Sequence, residues 1–261
     1  AEKAGIVKPG VPVVCYPGMA PDALCAVMER ALKTGSRVIL PSRMAVGDVC
    51  CSLSGNSFTY GGEQYETRLV GEHQVYNAVM VLEVIGQLRE KGWRIPQESV
   101  RKGLYSAFIP ARFEVMRISP LVIIDGAHNQ NGVEGLLGAL GRLRGGRKLY
   151  ALIGVLADKH MEEALAHVAQ LFDRITCTDV TNGRTLSGQV LAQQLSVEGA
   201  AHVSVTGEAP QAMLSLIEQM DPDKDGLVVF GSLFLAAECR KAFLDAFRSP
   251  SSERRALPEG K

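Results

Sequence analysis

The spacing of apolar and polar positions predicts repeated strand–helix units beyond residue 110. Five short apolar runs predict strands, over 121–124, 148–156, 174–180, 202–206 and 226–230. Five segments with apolar residues every three or four positions predict helices, over 133–143, 161–172, 187–195, 210–220 and 234–247. Because strand–helix units of this length join parallel strands, the pattern predicts a mostly parallel sheet with helices on both faces.

Residues 1 to about 105 contain a different mixture of elements. The pattern predicts strands over 11–16 and 37–40, a helix over 22–33 and a long helix over 73–91 that Gly92 ends. Gly61-Gly62 separates the β-rich runs 57–60 and 64–70 and predicts a hairpin with a two-residue turn. Pro110-Ala111-Arg112 is then expected to form a hinge or linker.

The turn after the strand over 121–124 is the most informative stretch, since it reads Asp125-Gly126-Ala127-His128-Asn129. In an open α/β sheet, ligands bind at the carboxyl ends of strands. A carboxylate, an imidazole and a carboxamide within five residues would there be placed for chemistry. The same residues are typical of an Asp or Asn helix cap with an incidental histidine. From this stretch alone both interpretations stay open.

The composition limits the partners and the cofactor sites that the chain is expected to have. The 28 basic residues balance the 28 acidic ones, so nothing indicates binding to nucleic acid or to an anionic membrane. The six cysteines show no metal-site spacing and predict reduced thiols in the cytoplasm. No apolar run approaches the roughly 20 residues that span a bilayer. Neither a GxGxxG nor a Walker A sequence is present.

Other candidate residues are scattered, and each has an ordinary structural interpretation. Lys3 is a surface lysine in that interpretation, and His73 and Asn77, one helical turn apart, are polar positions at a helix start. Arg112 beside the hinge could reach a ligand or could be a solvated charge. Gly154 to Lys159 and Gly231-Ser232 both end predicted strands, next to the expected place of Asp125.

In combination these segments resemble the folylpolyglutamate synthase/dihydrofolate synthase family of the Mur ligase superfamily. The resemblance extends over about residues 1–247 and follows the family's own order. It consists of six segments: Glu2-Lys-Ala-Gly-Ile-Val-Lys-Pro-Gly10, His73-Gln-x-x-Asn-Ala78, Pro110-Ala-Arg112, Asp125-Gly-Ala-His-Asn129, Gly154-Val-Leu-Ala-Asp-Lys159 and Gly231-Ser-Leu-Phe-Leu235. Each match alone is modest, whereas six in register are specific.

The resemblance implies an α/β architecture with three parts. Residues 1–109 would be the C-terminal part, a remnant, of the Mur-ligase central ATP-binding domain. Residues 110–248 would be the Rossmann-like C-terminal domain with a mostly parallel sheet, and 249–261 a flexible tail. The family's glycine-rich phosphate loop and its upstream His and Glu metal ligands are not in this sequence, which starts with Ala1. We therefore expect a fragment that is inactive alone.

The resemblance also implies an activity, two cofactors and a set of site residues. The family uses ATP and Mg²⁺ to convert a folate or dihydropteroate carboxylate into an acyl phosphate, which the amine of L-glutamate then attacks. The intact enzyme would be a monomer. The implied catalytic residues are Lys3, carbamylated to hold Mg²⁺, and His128 near the nucleotide; the implied ATP ligands are Asn77, Arg112 and Asp125, with Ser232 as a further candidate.

Three positions depart from the family pattern. Gln130 and Ala111 stand where the family commonly has Pro and Gly, and Gly183 precedes Arg184 where Pro is frequent. None of these changes removes a charged group, so the ligand set is expected to survive. Two other functions stay open: another Mur-type ligase acting on a cell-wall precursor, and a non-catalytic α/β binding domain. A dehydrogenase lacks support because there is no dinucleotide fingerprint.

Overall fold

A computed structural model describes residues 2–159 and 161–247, without the side chains of Glu2 and Lys3. The chain divides into two compact units, residues 1–109 (unit 1) and 110–261 (unit 2). The frayed tail predicted over 249–261 lies outside the described residues. Within the described part of the chain, no helix combines the length and the apolarity needed to cross a bilayer.

Unit 1 contains a very short parallel strand pair, a three-stranded antiparallel sheet and three α-helices. A 3₁₀ helix, Glu2–Ile6, precedes β1 (Val13–Val14), α1 (Pro21–Thr34) and β2 (Val38–Ile39), and β1 pairs with β2 in parallel. A second 3₁₀ turn, Arg43–Ala45, leads into the sheet β3 (Val46–Ser52), β4 (Gly55–Tyr60) and β5 (Glu63–Thr67). Helices α2 (Glu72–Glu90) and α3 (Gln97–Ser106) end the unit.

The predicted hairpin and long helix of unit 1 are confirmed. Gly61 and Gly62 have φ values of +59° and +78°, as a two-residue type I′ turn requires, and Tyr60 pairs with Glu63 across it. One face of this sheet packs on α2 and α3. The apolar side chains of this contact are Phe58, Tyr65, Val75, Ala78, Val79, Val100 and Leu104.

After two consecutive strands, unit 2 alternates helices and strands to the end of its described part. Its strands are β6 (Glu114–Ile118), β7 (Leu121–Ile124), β8 (Lys148–Ile153), β9 (Arg174–Thr178), β10 (Val203–Thr206) and β11 (Asp225–Phe230). Its helices are α4 (Gln130–Leu143), α5 (Glu162–Leu171), α6 (Gly188–Val197), α7 (Ala209–Gln219) and α8 (Leu233–Phe247). All five strands and all five helices predicted beyond residue 110 are present, and none of their ends is shifted by more than three residues.

The six strands of unit 2 form one sheet in the order β10-β9-β8-β11-β7-β6. Every neighbouring pair is parallel except β6 with β7. The last strand, β11, therefore lies between β7 and β8. Because β7 and β11 are completely buried, their apolar runs lack the alternation of a half-exposed strand. This explains why both were visible as continuous apolar stretches in the sequence.

Helices cover both faces of the unit 2 sheet, as the strand–helix pattern predicts. Helices α7 and α8 pack side by side on the face that carries Val122, Ile124, Leu227 and Val229. Helices α4, α5 and α6 contact one another in sequence order. Right-handed crossovers between parallel strands put these three on the opposite face. The turns after the strands consequently gather at one edge of the sheet.

Three elements were not predicted from the sequence: β3, α3 and β6. Strand β3 is an edge strand whose residues are exposed or half-buried, and its register shifts between Gly47 and Cys50. Helix α3 buries only Val100 and Leu104, which is too few apolar positions to define a period. Strand β6 is the antiparallel edge of the large sheet and no residue in it is fully buried.

Candidate functional site

The carboxyl ends of four parallel strands meet at one edge of the unit 2 sheet. Asp125 follows β7, Gly154 follows β8, Asp179 follows β9 shortly after its end, and Gly231 follows β11. The backbone ties two of these turns together, since the N–H of Gly231 donates to the carbonyl of Ala127 at 2.8 Å. Ligands of open parallel sheets bind at this edge. The predicted site residues of unit 2 are therefore expected at this edge.

Asp125 is almost completely buried and binds backbone amides with both carboxylate oxygens. Its Oδ1 accepts the N–H of Ala127 at 2.6 Å, and its Oδ2 accepts the N–H of Phe113 at 2.6 Å. Burial raises the pKa of the Asp125 carboxyl, while the two hydrogen bonds and the charges of Arg112 and His128 oppose the rise. Asp125 therefore joins the turn after β7 to the segment that begins unit 2.

That segment, residues 110–114, is held in an unusual conformation. Ala111 and Phe113 both have positive φ, +55° and +43°, which costs a non-glycine residue about 1–2 kcal/mol each. The carbonyl of Ala111 accepts the N–H of Gly126 at 2.7 Å, and the N–H of Ala111 donates to Oε2 of Glu114 at 2.8 Å. Arg112 is thus presented from a backbone fixed on both sides, and its side chain is exposed.

A charged pair fixes the same segment to the last helix. Nε of Arg240, in α8, donates to both carboxylate oxygens of Glu114, at 3.0 and 2.8 Å. The Glu114 side chain is only 9% exposed, so this pair is less screened than the surface ion pairs of the chain. The hydrogen bonds to Glu114 raise the pKa of Arg240. The pair therefore stabilises the conformation that presents Arg112.

The two remaining polar residues of the turn have different roles. Nδ1 of His128 lies 2.8 Å from the carbonyl of Gly126, so Nδ1 carries a proton, and in the neutral form of the ring Nε2 is the nitrogen that can accept. Oδ1 of Asn129 accepts the N–H of Gly132 at 2.9 Å and caps α4. The helix-cap interpretation is confirmed for Asn129. Asp125 binds the amides of Phe113 and Ala127 and caps no helix, and the His128 ring contacts the carbonyl of Gly126.

A cavity of about 170 Å³ opens at this edge of the sheet. Its walls come from the turns after β7, β8, β9 and β11 and from the start of α8. They are formed by His128, Leu156, Lys159, Arg184, Ser232, Leu233 and Phe234. Lys159 and Arg184 are two cations in this wall, and Arg184 donates to the Asp158 carboxylate at 2.9 Å. With one of the two cations already paired, the wall keeps a net positive charge, which suits a small ligand with negative charge.

Ser232 is buried, and its hydroxyl accepts the N–H of Phe234 at 3.2 Å. This bond caps the first turn of α8. Ser232 thus lies in the cavity wall, as expected of a residue near a ligand, and it also has a local structural role.

The predicted residues of unit 1 lie on α2 and at the start of the chain. Asn77 is exposed and donates to Oε1 of Gln74 at 3.0 Å, while Nε2 of Gln74 lies 2.9 Å from Nε2 of His73. The three side chains form a hydrogen-bonded row on the first turn of α2. Lys3 belongs to the first 3₁₀ helix, but its side chain lies outside the described residues.

Comparison with known proteins matches residues 111–233 to the Mur ligase glutamate ligase domain. Folylpolyglutamate synthase of Lacticaseibacillus casei is 29% identical over 249 residues, which cover 93% of this chain and 56% of that protein. The chain is thus similar to folylpolyglutamate synthases, and residues 111–233 match a domain of the Mur ligases. It spans little more than half the length of such relatives.

Solved structures of folylpolyglutamate synthases show the same fold. Folylpolyglutamate synthase of Mycobacterium tuberculosis, complexed with ADP and AMPPCP, has a TM-score of 0.81 and 27% identity, and the match covers 95% of this chain and 59% of that one. The bifunctional enzyme of Yersinia pestis, complexed with AMPPNP and Mn ion, has a TM-score of 0.75 and 25% identity, covering 92% and 55%. The predicted α/β class with a mostly parallel sheet is confirmed.

Two parts of the site were not predicted as site residues from the sequence. In the sequence Arg184 is marked only by the glycine that precedes it, yet it follows β9 at the same edge as Asp125, a place where the strand-end rule predicts ligand residues. The pair between Glu114 and Arg240 joins residues 126 positions apart, so no local pattern signals it.

Proposed function

We propose that the chain is the glutamate-binding part of an ATP-dependent ligase that adds L-glutamate to folates. One observation carries the proposal: the cationic cavity is formed mainly by residues of the segment that matches the glutamate ligase domain. At about 170 Å³ it is smaller than the roughly 300–1,000 Å³ typical of drug-sized ligands. That size favours an amino acid over a nucleotide as its occupant.

The charge of the cavity fits L-glutamate in particular. Glutamate has two carboxylates and one ammonium group, and the wall supplies Lys159 together with Arg184, which a ligand carboxylate would share with Asp158. Charge-assisted hydrogen bonds between such groups are about twice as strong as neutral ones. The apolar wall of Leu156, Leu233 and Phe234 would contact the methylene groups. His128, with Nε2 able to accept, could take a proton from the attacking amine.

The reaction we propose is phosphoryl transfer followed by acyl transfer. A folate carboxylate takes the γ-phosphoryl group of ATP to give an acyl phosphate, and the glutamate amine then displaces phosphate to form the amide. The residues of this chain would position the amine and the charges. Tetrahydrofolate is the proposed acceptor, and dihydropteroate a second one.

The resemblance assigns Asn77, Arg112, Asp125 and Ser232 to the nucleotide, and we retain these four as proposals. Arg112 fits best, because it is exposed on a fixed backbone. Asp125 already accepts two hydrogen bonds, although a carboxylate has about four acceptor positions. Substitution of Asp125 would therefore change the structure as well as any ligand contact.

Mg²⁺ would be supplied with the nucleotide, and the described residues alone do not make a site for it. Among residues 2–159 and 161–247 no cluster of three or more His, Cys, Asp or Glu side chains could hold a metal. Mg²⁺ usually keeps waters and binds one or two carboxylates plus phosphates. A carbamate on Lys3 would provide such an oxygen ligand. The sequence also has no glycine-rich phosphate loop, so we propose that turnover needs further polypeptide.

Lys159→Met tests the glutamate site. We expect the dissociation constant for L-glutamate to rise about tenfold or more, since a charge-assisted hydrogen bond contributes roughly 1.5–3 kcal/mol. Titration of the ¹⁵N-labelled chain with L-glutamate, followed by NMR, measures it. Lys148→Met is the matched control, because Lys148 is an exposed lysine at the opposite end of β8. Equal affinities in both variants would contradict the assignment.

The comparisons do not favour a cell-wall ligase or a non-catalytic domain. The relatives and structures described above are all named folylpolyglutamate synthases. The cavity wall also contains Lys159 and Arg184, the cations on which the proposed glutamate site depends. We therefore put forward no second function.

A further inference from the structure

Gln130 connects the first turns of two helices, α4 and α5. Its Oε1 accepts the N–H of Ala164 at 3.0 Å, and its Nε2 donates to Oε1 of Glu134 at 3.2 Å. The same Glu134 oxygen lies 2.8 Å from Nδ1 of His167 on α5. Three side chains thus join the helix after the Asp125 turn to the helix after the Lys159 loop.

Helix α5 depends on this contact because its own start is poorly capped. The N-cap residue, Met161, has no side chain that can bind the free amides of the first turn. The N–H of Ala164 is shared between the carbonyl of Met161, at 2.9 Å, and Oε1 of Gln130. Gln130 therefore supplies from α4 the side-chain acceptor that α5 itself lacks.

The loop that carries Lys159 comes shortly before α5 in the sequence. That loop, residues 154–159, is fixed in its middle by the N–H of Ala157, which donates to the carbonyl of Arg184 at 2.8 Å. The N–H of Lys159 donates to the carbonyl of Leu156 at 3.1 Å, and both residues line the cavity. Lys159 precedes the first residue of α5, Glu162, by three positions in the sequence, and Gln130 acts on the first turn of that helix.

We propose that Gln130 is a positioning residue that holds the Lys159 loop in place for an amino-acid carboxylate. The contact acts through the first turn of α5 and leaves the ligand untouched. This inference rests on the proposed function of the cavity in one respect, the identity of the ligand. The placement of the loop itself can be tested without any ligand.

Gln130→Pro separates this role from a contribution to folding. Gln130 is the first residue of α4, where the backbone N–H has no partner within the helix and proline is favoured. Asn129 before it is extended, with φ −146° and ψ 166°, the conformation that precedes proline. The variant should keep α4. Its unfolding free energy should not fall by more than the lost side-chain hydrogen bonds contribute to stability. Gln130→Met, of similar length, provides a second variant without proline.

The experiment compares wild type, both Gln130 variants and Asn131→Ala in the 261-residue chain. Asn131 is the exposed neighbour on α4 and serves as the control. We expect the Ala164 amide to exchange with solvent about threefold faster or more in both Gln130 variants, and the Lys159 amide to shift. L-Glutamate should bind roughly two- to tenfold more weakly. Asn131→Ala should match wild type throughout.

Two results would overturn the inference. Unchanged Ala164 and Lys159 amides would show that Gln130 does not hold the loop. Looser amides with wild-type affinity for L-glutamate would show a purely structural contact. If wild type itself binds no L-glutamate, the proposed function fails instead, and the two amides alone then decide whether Gln130 places the loop.

Discussion

Asp125→Ala is expected to lower the unfolding free energy of unit 2 by about 2–5 kcal/mol. The substitution leaves the N–H groups of Phe113 and Ala127 without their acceptor, and each unsatisfied buried donor costs about 1–3 kcal/mol. It also releases the segment in which Ala111 and Phe113 hold positive φ. Without the Asp125 hydrogen bonds, less holds this unfavourable backbone conformation in place, so the segment should relax.

Native-state hydrogen exchange of the β7 and β11 amides measures this loss in unit 2 directly. Asp223→Ala is the control, since Asp223 is an exposed aspartate of the same unit and should change stability by less than about 0.5 kcal/mol. Asp125→Asn should fall between, because an amide keeps one acceptor oxygen. Equal stability of the Asp125→Ala and Asp223→Ala variants would contradict the structural role of Asp125.

Gly231→Ala is the second substitution with a large expected effect, about 2–4 kcal/mol of destabilisation. Gly231 has φ +107°, a conformation that costs an L-residue roughly 1–3 kcal/mol. A Cβ there would lie 2.5 Å from the carbonyl oxygen of Gly154, which is backbone and cannot rotate away. The turns after β8 and β11 would have to separate, and the cavity wall would move with them.

Gly138→Ala is the matched control for that substitution. Gly138 lies in α4 with open space around it, and alanine there should stabilise the helix by about 0.5–1 kcal/mol. Thermal unfolding of the two variants should therefore shift in opposite directions from wild type. A Gly231→Ala variant as stable as wild type would mean that the two turns are not packed as closely as described.

The pattern of the sequence is sufficient for the large sheet and insufficient for the edges of both sheets. Strands β7 and β11 are buried on both faces, so their apolar runs mark them without any knowledge of partners. The Gly61-Gly62 turn likewise carries its own local signal. By contrast β3 and β6 are edge strands that each pair with one neighbouring strand, and their side chains show no clear period.

The candidate site shows the same division between local and long-range causes. The turn 125–129 was located from the residues alone, and its position at the edge of the sheet agrees with that prediction. What Asp125 binds could not be predicted, because Phe113 lies 12 residues earlier in a segment with unusual φ angles. Gln130 looked only like a departure from the family pattern, and its partner Ala164 is 34 residues away.

Isothermal titration of the 261-residue chain with L-glutamate and, in parallel, L-glutamine tests the central claim most directly. The two ligands have the same shape and differ in one charge. With Lys159 and Arg184 in the cavity wall, the chain is predicted to bind L-glutamate at least about tenfold more tightly. Equal affinity for the two amino acids, or no binding of L-glutamate, would contradict the assignment of this cavity.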